Sequence, residues 1–418
     1  MNVLLKSATI IDSKSEFHNT VKDILIENGT ITKISKSIKN PNNYKEVKLD
    51  NLHVSSGWFD SSVSLGEPGF EERETIENGL KTASLSGYTS VILNTNTYPV
   101  TDTASQVAFI QSKAKNAATK TYVYGALTKN SNGTELAELY DMYKAGALAF
   151  YDYKKPITNA NLMKIALQYG DNFDGLICAF SQDEYISGSG VVNEGANSTK
   201  LGLKGIPALS EDLHIVRNLH LLEYTGGKLH IPTISSAKSV DLIRKAKKNK
   251  LRVSCSVAIH NLFYSDDVLD TFDTKYKVLP PLRTKEDINA LIEGLKDGTI
   301  DMVTSDHNPL NIELKKTEFD YAAFGTIGME SAFGALNTIL SPKKTIDILT
   351  SGKSVFGLSN TAITIGNKAD LTLFNPSISY TFSEQDLTSK SKNAMFLNEK
   401  LKGKAYGVIS NNKLVLKK

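Results

Sequence analysis

Across the middle of this chain, short apolar runs alternate with amphipathic segments, and that alternation narrows the choice of fold more than any other feature. Residues 89–93, 121–125, 147–151, 176–180, 228–231, 252–257 and 302–304 are apolar runs of strand length. Between them, residues 76–86, 135–145, 212–224, 239–248 and 285–295 carry apolar positions at helical spacing. A strand followed by a helix, repeated many times, builds a parallel sheet, because each helix carries the chain back to begin the next strand. No Gly-x-Gly-x-x-Gly follows the first strand, which disfavours a doubly wound dinucleotide fold. An α/β chain with a (β/α)8 TIM-type barrel over residues 55–360 is therefore expected. Any chemistry then belongs at the C-terminal ends of its strands.

The two ends of the chain are written differently. Residues 3–11 and 23–26 are β-rich, and Asn28-Gly29 before Thr30-Ile31-Thr32-Lys33-Ile34 signals a hairpin. Residues 362–366, 370–376, 405–410 and 413–416 return to the same style, the last two flanking Asn411-Asn412. Residues 1–54 and 361–418 are expected to assemble one small β-sandwich beside the barrel.

Composition excludes several functions. The chain sets 48 Lys+Arg against 45 Asp+Glu, a net charge of +3, with no basic run long enough to bind a polyanion. The densest basic cluster, Arg244, Lys245, Lys247, Lys248 and Lys250, reads as a solvated helix end. Neither nucleic acid nor membrane is expected as a partner. The start lacks a signal-peptide apolar region, and no run approaches the roughly 18 apolar residues of a membrane span. Cys178 and Cys255 lie in apolar strand-like runs and read as buried free thiols, which fits a cytoplasmic protein.

The strand ends carry a recurrent set of motifs. They run from Asp60-Ser61-Ser62-Val63-Ser64-Leu65-Gly66 through Glu74-Thr75-Ile76-Glu77-Asn78-Gly79 to Asn96-Thr97-Tyr98-Pro99. Next come Leu201-Gly202-Leu203-Lys204-Gly205-Ile206-Pro207-Ala208 with Glu211, and Lys277-Val278-Leu279-Pro280-Pro281-Leu282-Arg283. Ser305-Asp306-His307-Asn308-Pro309 and Phe324-Gly325-Thr326-Ile327-Gly328-Met329-Glu330 complete the series. In order and spacing, over nearly the whole chain, this resembles dihydroorotase of the amidohydrolase superfamily.

That resemblance implies a zinc centre held by four histidines, and this sequence lacks them. The paired histidines of the first strand, whose imidazoles converge because positions two apart share a face, fall on Ser62 and Ser64. The arginine that pairs with a substrate carboxylate falls on Gly66, the third histidine on Phe180 and the fourth on Thr233, three residues after His230. Two acids survive. Asp306 matches the strand-end aspartate that binds metal and shuttles a proton, and Asp152 lies where the family supplies a bridging carboxylate. Asn96 and His307 match substrate-contacting positions. The seven histidines of the chain offer no pair with the spacing of a zinc site, so no metal cofactor is expected.

The resemblance then implies a dihydroorotase homologue of pyrimidine biosynthesis that has lost its catalysis. Such a chain is expected to be a structural partner of aspartate transcarbamoylase or of an active dihydroorotase, and to form a homo-oligomer. A residual cyclic-amide hydrolase and a small-molecule sensor using the old pocket are the alternatives. On the first reading Asp306 has nothing to serve, and its removal is expected to cost little stability.

Overall fold

The computed structural model describes residues 1–417; Lys418, the last of the expected C-terminal segment, lies outside the described residues. Strands from both ends of the chain form one sheet. The N-terminal part contributes β1 (Val3–Ile10), β2 (Val21–Glu27), β3 (Thr30–Ser35), β4 (Lys45–Val47) and β5 (His53–Ser56). The Asn28-Gly29 turn joins β2 to β3 with both residues at positive φ, as a tight hairpin requires.

The barrel follows immediately. Its strands are β6 (Trp58–Val63), β7 (Tyr88–Leu93), β8 (Lys120–Gly125), β9 (Ala147–Tyr151) and β10 (Ile177–Cys178). After a small two-stranded ribbon of β11 (Val192–Asn193) and β12 (Gly205–Ile206) come β13 (Leu229–Ile231), β14 (Val253–Ala258) and β15 (Met302–Thr304). The eight barrel strands pair in parallel in the order β15-β14-β13-β10-β9-β8-β7-β6. The ring closes just past β15, where Ser64 N donates to His307 O at 2.7 Å and His307 N to Ser62 O at 3.1 Å. The chain then returns to the first sheet as β16 (Leu371–Thr381), β17 (Lys400–Ser410) and β18 (Lys413–Leu416). Pairing of β16 with β5, from Leu371 opposite Ser56 to Phe374 opposite His53, splices the two termini into one eight-stranded sheet.

Two expectations give way. Residues 362–366 form no strand: Ile363 is buried, but its N–H donates to Asp12 Oδ2 at 2.8 Å and its carbonyl accepts from Ser15 Oγ at 2.6 Å. Residues 135–138 are not helical, because Glu135 O and Ala137 N bond back to Lys129 and Leu127; the helix there is only Leu139–Lys144.

Burial explains how the site is held. Inside the barrel, Phe59, Ile92, Tyr124, Tyr151, Phe180, Met302 and Phe356 pack as one cluster, the layered filling of a closed parallel barrel. Outside it, Trp58, Val91, Phe150, Ile177, Leu229, Val257 and Val303 pack against the helices. Trp58, fully buried, meets Phe333 at 4.5 Å and Phe374 at 5.5 Å, so one side chain ties barrel, outer helix and terminal sheet together. Among the described residues, no helix is long and apolar enough to cross a membrane.

Candidate functional site at the C-terminal ends of the barrel strands

Asp306 stands two residues past the strand that closes the ring, and it organises what lies there. Its backbone is left-handed, at φ 49°. That conformation is uncommon for a non-glycine residue, and such residues cluster at functional sites. The carboxylate is 1% exposed. Oδ1 accepts from Ser62 Oγ at 3.1 Å and from the Tyr153 hydroxyl at 3.3 Å. Oδ2 meets Lys154 Nζ at 2.6 Å. Lys154 is itself left-handed, at φ 53°, and its N–H donates to the Tyr151 hydroxyl at 3.1 Å. Burial and the Asp306 charge both push the Tyr153 phenol far above its ordinary range, so it is a hydrogen-bond donor.

The two serines of the first strand lie in this network. Asn94 Nδ2 donates to Ser62 Oγ at 3.2 Å and to Ser64 Oγ at 3.1 Å. Phe180 is 1% exposed and packs into the barrel interior. Thr233, left-handed at φ 50°, is buried with a hydroxyl that finds no partner among the described residues.

The structure separates the two acids. Asp152 turns away from Asp306 and accepts from Leu127 N at 2.8 Å, Thr128 N at 3.0 Å and the Thr128 hydroxyl. Burial raises its carboxyl above the ordinary value while these hydrogen bonds hold it down. It fixes the loop after β8. The next two residues reach Asp306 instead, and neither was singled out from the sequence. The available signal was a lysine just beyond a barrel strand end, in Asp152-Tyr153-Lys154.

The remaining polar residues are neutral. His307 Nδ1 accepts from Gly328 N at 3.2 Å, and burial pushes its imidazole down to about 4. Among the described residues its Nε2 has no partner, nor does Asn96 Oδ1. His260, fully buried past β14, bonds through neither nitrogen, and burial brings it to about 4. His230 meets Ser254 Oγ at 2.9 Å from within β13, and burial takes it to about 3. His214 lies on an outer helix, between Arg217 at 2.9 Å and Asn218 at 3.2 Å.

Other motif residues are architectural. Glu211 accepts from Ser235 N at 2.8 Å and Ser239 Oγ at 2.7 Å, while Arg283 Nη2 lies 3.9 Å from it. Arg283 also donates to Ile206 O at 2.6 Å and Asn193 Oδ1 at 2.8 Å, so the pair pins the β11–β12 ribbon onto the barrel.

A zinc centre can be tested against these donors. Zinc takes imidazole, thiolate and carboxylate ligands. Two serine hydroxyls, a phenyl ring and a threonine hydroxyl do not fit it, and the one carboxylate present is already ion-paired. Among the described residues, no group of three or more His, Cys, Asp or Glu is placed to hold a metal ion.

Comparisons with known proteins agree with the architecture. A family model described as "Dihydro-orotase-like" matches residues 53–239. A dihydroorotase of Thermoanaerobacter sp. (strain X514) is 39% identical over 411 residues, covering 96% of this chain and 94% of that protein. One of Geobacter metallireducens is 36% identical over 425 residues, covering all of both. Among solved structures, an L-hydantoinase (dihydropyrimidinase) from Arthrobacter aurescens superposes with a TM-score of 0.84 at 20% identity, over all of this chain and 98% of that one. A dihydropyrimidinase from Brevibacillus agri gives 0.83 at 19% identity, over 100% and 95% of the two chains. These structural neighbours speak for the fold: an α/β barrel with a separate sheet of terminal strands. The sequence relatives speak for the lineage, and on their evidence this chain belongs to the dihydroorotase-like family of the amidohydrolase superfamily.

Proposed function

We propose that this chain is a dihydroorotase homologue that does not hydrolyse the ring amide and serves pyrimidine biosynthesis by association. One observation carries the reading: the family's metal-ligand positions hold Ser62, Ser64, Phe180 and Thr233, and the surviving Asp306 is engaged by Lys154. Opening an amide-like ring near neutral pH calls for an activated water and an electrophile on the carbonyl. A lone carboxylate paired with an ammonium acidifies no water, so Asp306 has no proton to shuttle.

Association has its own support. On the outer helices Leu139–Lys144, Ala160–Asp171 and Ala208–Thr225, the side chains of Tyr140, Tyr143, Ile165, Tyr169, Leu213 and Tyr224 are exposed. Exposed aromatics on a rigid surface suit an interface. The partner we propose is aspartate transcarbamoylase or an active dihydroorotase, with self-association as a homo-oligomer. Sedimentation of the chain alone and mixed with each partner at micromolar concentration tests this, with dihydroorotate turnover measured on the same samples. A co-sedimenting complex without turnover by this chain is expected. A chain that stays monomeric alone and with both partners would refute the association.

A second reading draws on the unpartnered atoms Asn96 Oδ1 and His307 Nε2, which suit a bound small molecule. A tight metabolite complex in the absence of any protein partner would favour it.

A further inference from the structure

The poor fit between this site and a metal has a positive side. We infer that Lys154 is a built-in cation: its ammonium takes up the charge-balancing place beside Asp306 that a divalent ion would otherwise fill. The inference rests on the non-catalytic reading above and deepens it.

The geometry is that of a made site. Lys154 is 9% exposed and Asp306 1% exposed, with 2.6 Å between Nζ and Oδ2. The ammonium also lies 5.3 Å from the centre of the Tyr153 ring, so an aromatic face shares its charge. Both residues adopt left-handed backbone, the less favourable choice for side chains with a Cβ, and the two meet across the barrel mouth. Around the shared carboxylate stand the hydroxyls of Ser62 and Tyr153, and Asn94 holds Ser62 in place. These are oxygen donors, the ligand type of hard cations such as Mg²⁺ and Mn²⁺. A buried carboxylate among oxygens attracts a cation, and the chain supplies one covalently. Unlike a bound ion, it cannot dissociate, and it offers no coordination position to water.

Truncating the lysine tests this. In Lys154→Ala the carboxylate regains a space the size of a small cation. Its melting temperature should fall below the wild-type value, then recover in millimolar MgCl₂ or ethylammonium chloride but not in tetramethylammonium chloride of equal ionic strength. Mn²⁺ titration followed by electron paramagnetic resonance should show one site per chain in Lys154→Ala and none in the wild type. Lys154→Ala/Asp306→Asn should lose that site. Lys154→Met, which fills the space with apolar atoms, should melt without responding to any of the salts, and it serves as the folded control. If Lys154→Ala folds only with added cation, that dependence is itself the expected result. Wild-type protein binding Mn²⁺ at Asp306, or Lys154→Ala binding none and responding to no cation, overturns the inference. Ring hydrolysis by the wild type would sink the non-catalytic reading while leaving these cation responses to be read separately.

Discussion

Two buried carboxylates sit at opposite ends of the barrel, each facing lysine, and they do different work. At the N-terminal end Asp370 meets Lys353 at 3.2 Å, Lys120 at 3.3 Å and Ser410 Oγ at 2.7 Å, joining barrel to terminal sheet. At the C-terminal end Asp306 meets the single cation Lys154. The lower cluster lies on ordinary backbone and balances one acid with two lysines. The upper pair needs left-handed residues on both sides and has unpartnered polar atoms nearby, at Asn94, Thr233 and His307. In barrels of this kind the lower end carries stability and the upper end chemistry. Here the upper end gathers left-handed backbone and unpartnered polar atoms around one buried ion pair.

Breaking the lower cluster should have the largest effect. Asp370→Ala leaves Lys353, 3% exposed, without a counter-charge and is expected to cost about 3–5 kcal/mol in urea unfolding. Burial raises the Asp370 carboxyl, yet Lys353 and Lys120 prevail and hold it below 3.8. Its contribution is thus present above that pH and lost as pH falls further.

The barrel seam titrates in the opposite sense. Burial pushes Asp60 up to about 6 from 3.8, against hydrogen bonds from the Thr304 hydroxyl and from Ser62 N at 3.1 Å. The folded state therefore holds this proton where the unfolded chain releases it. Stability should fall between pH 3.8 and 6, by up to about 3 kcal/mol, and Asp60→Asn should flatten that slope in pH-dependent unfolding.

At the upper end, Asp306→Ala should cost about 2 kcal/mol, less than the lower cluster because Lys154 can swing towards solvent. The sequence alone leads to the expectation of little change; the buried ion pair with Lys154 is the reason a measurable loss is expected instead. The smallest effect belongs to the double replacement Lys154→Met/Asp306→Leu. It removes both charges together and should stay within about 1 kcal/mol of wild type. A double variant as unstable as Asp306→Ala would show that the surrounding hydroxyls, not the missing counter-charge, set the cost.

How much of this was legible depended on which regularity carried it. The barrel strands were readable because burial on both faces leaves continuous apolar runs, and the Asn28-Gly29 hairpin because positive φ restricts residue type. Ser62, Ser64, Phe180 and Thr233 were expected at the strand ends from the spacing of the motifs, and they lie at or just past the ends of β6, β10 and β13. Lys154 was not, because its reach depends on a left-handed turn after β9 that carries Asp152 to one loop and Tyr153 with Lys154 to Asp306. Residues 362–366 read as a strand from composition, but their backbone groups bond to Asp12 and Ser15, contacts between distant parts of the chain that no local pattern encodes.

The most direct test of the account is the zinc content of wild-type protein equilibrated with buffered free zinc and then measured by mass spectrometry of the metal. With Lys154 on Asp306 and no group of three metal-ligating side chains among the described residues, no zinc should be retained there, and the same result is expected for Asp306→Ala. One zinc per wild-type chain, lost in Asp306→Ala, would contradict it.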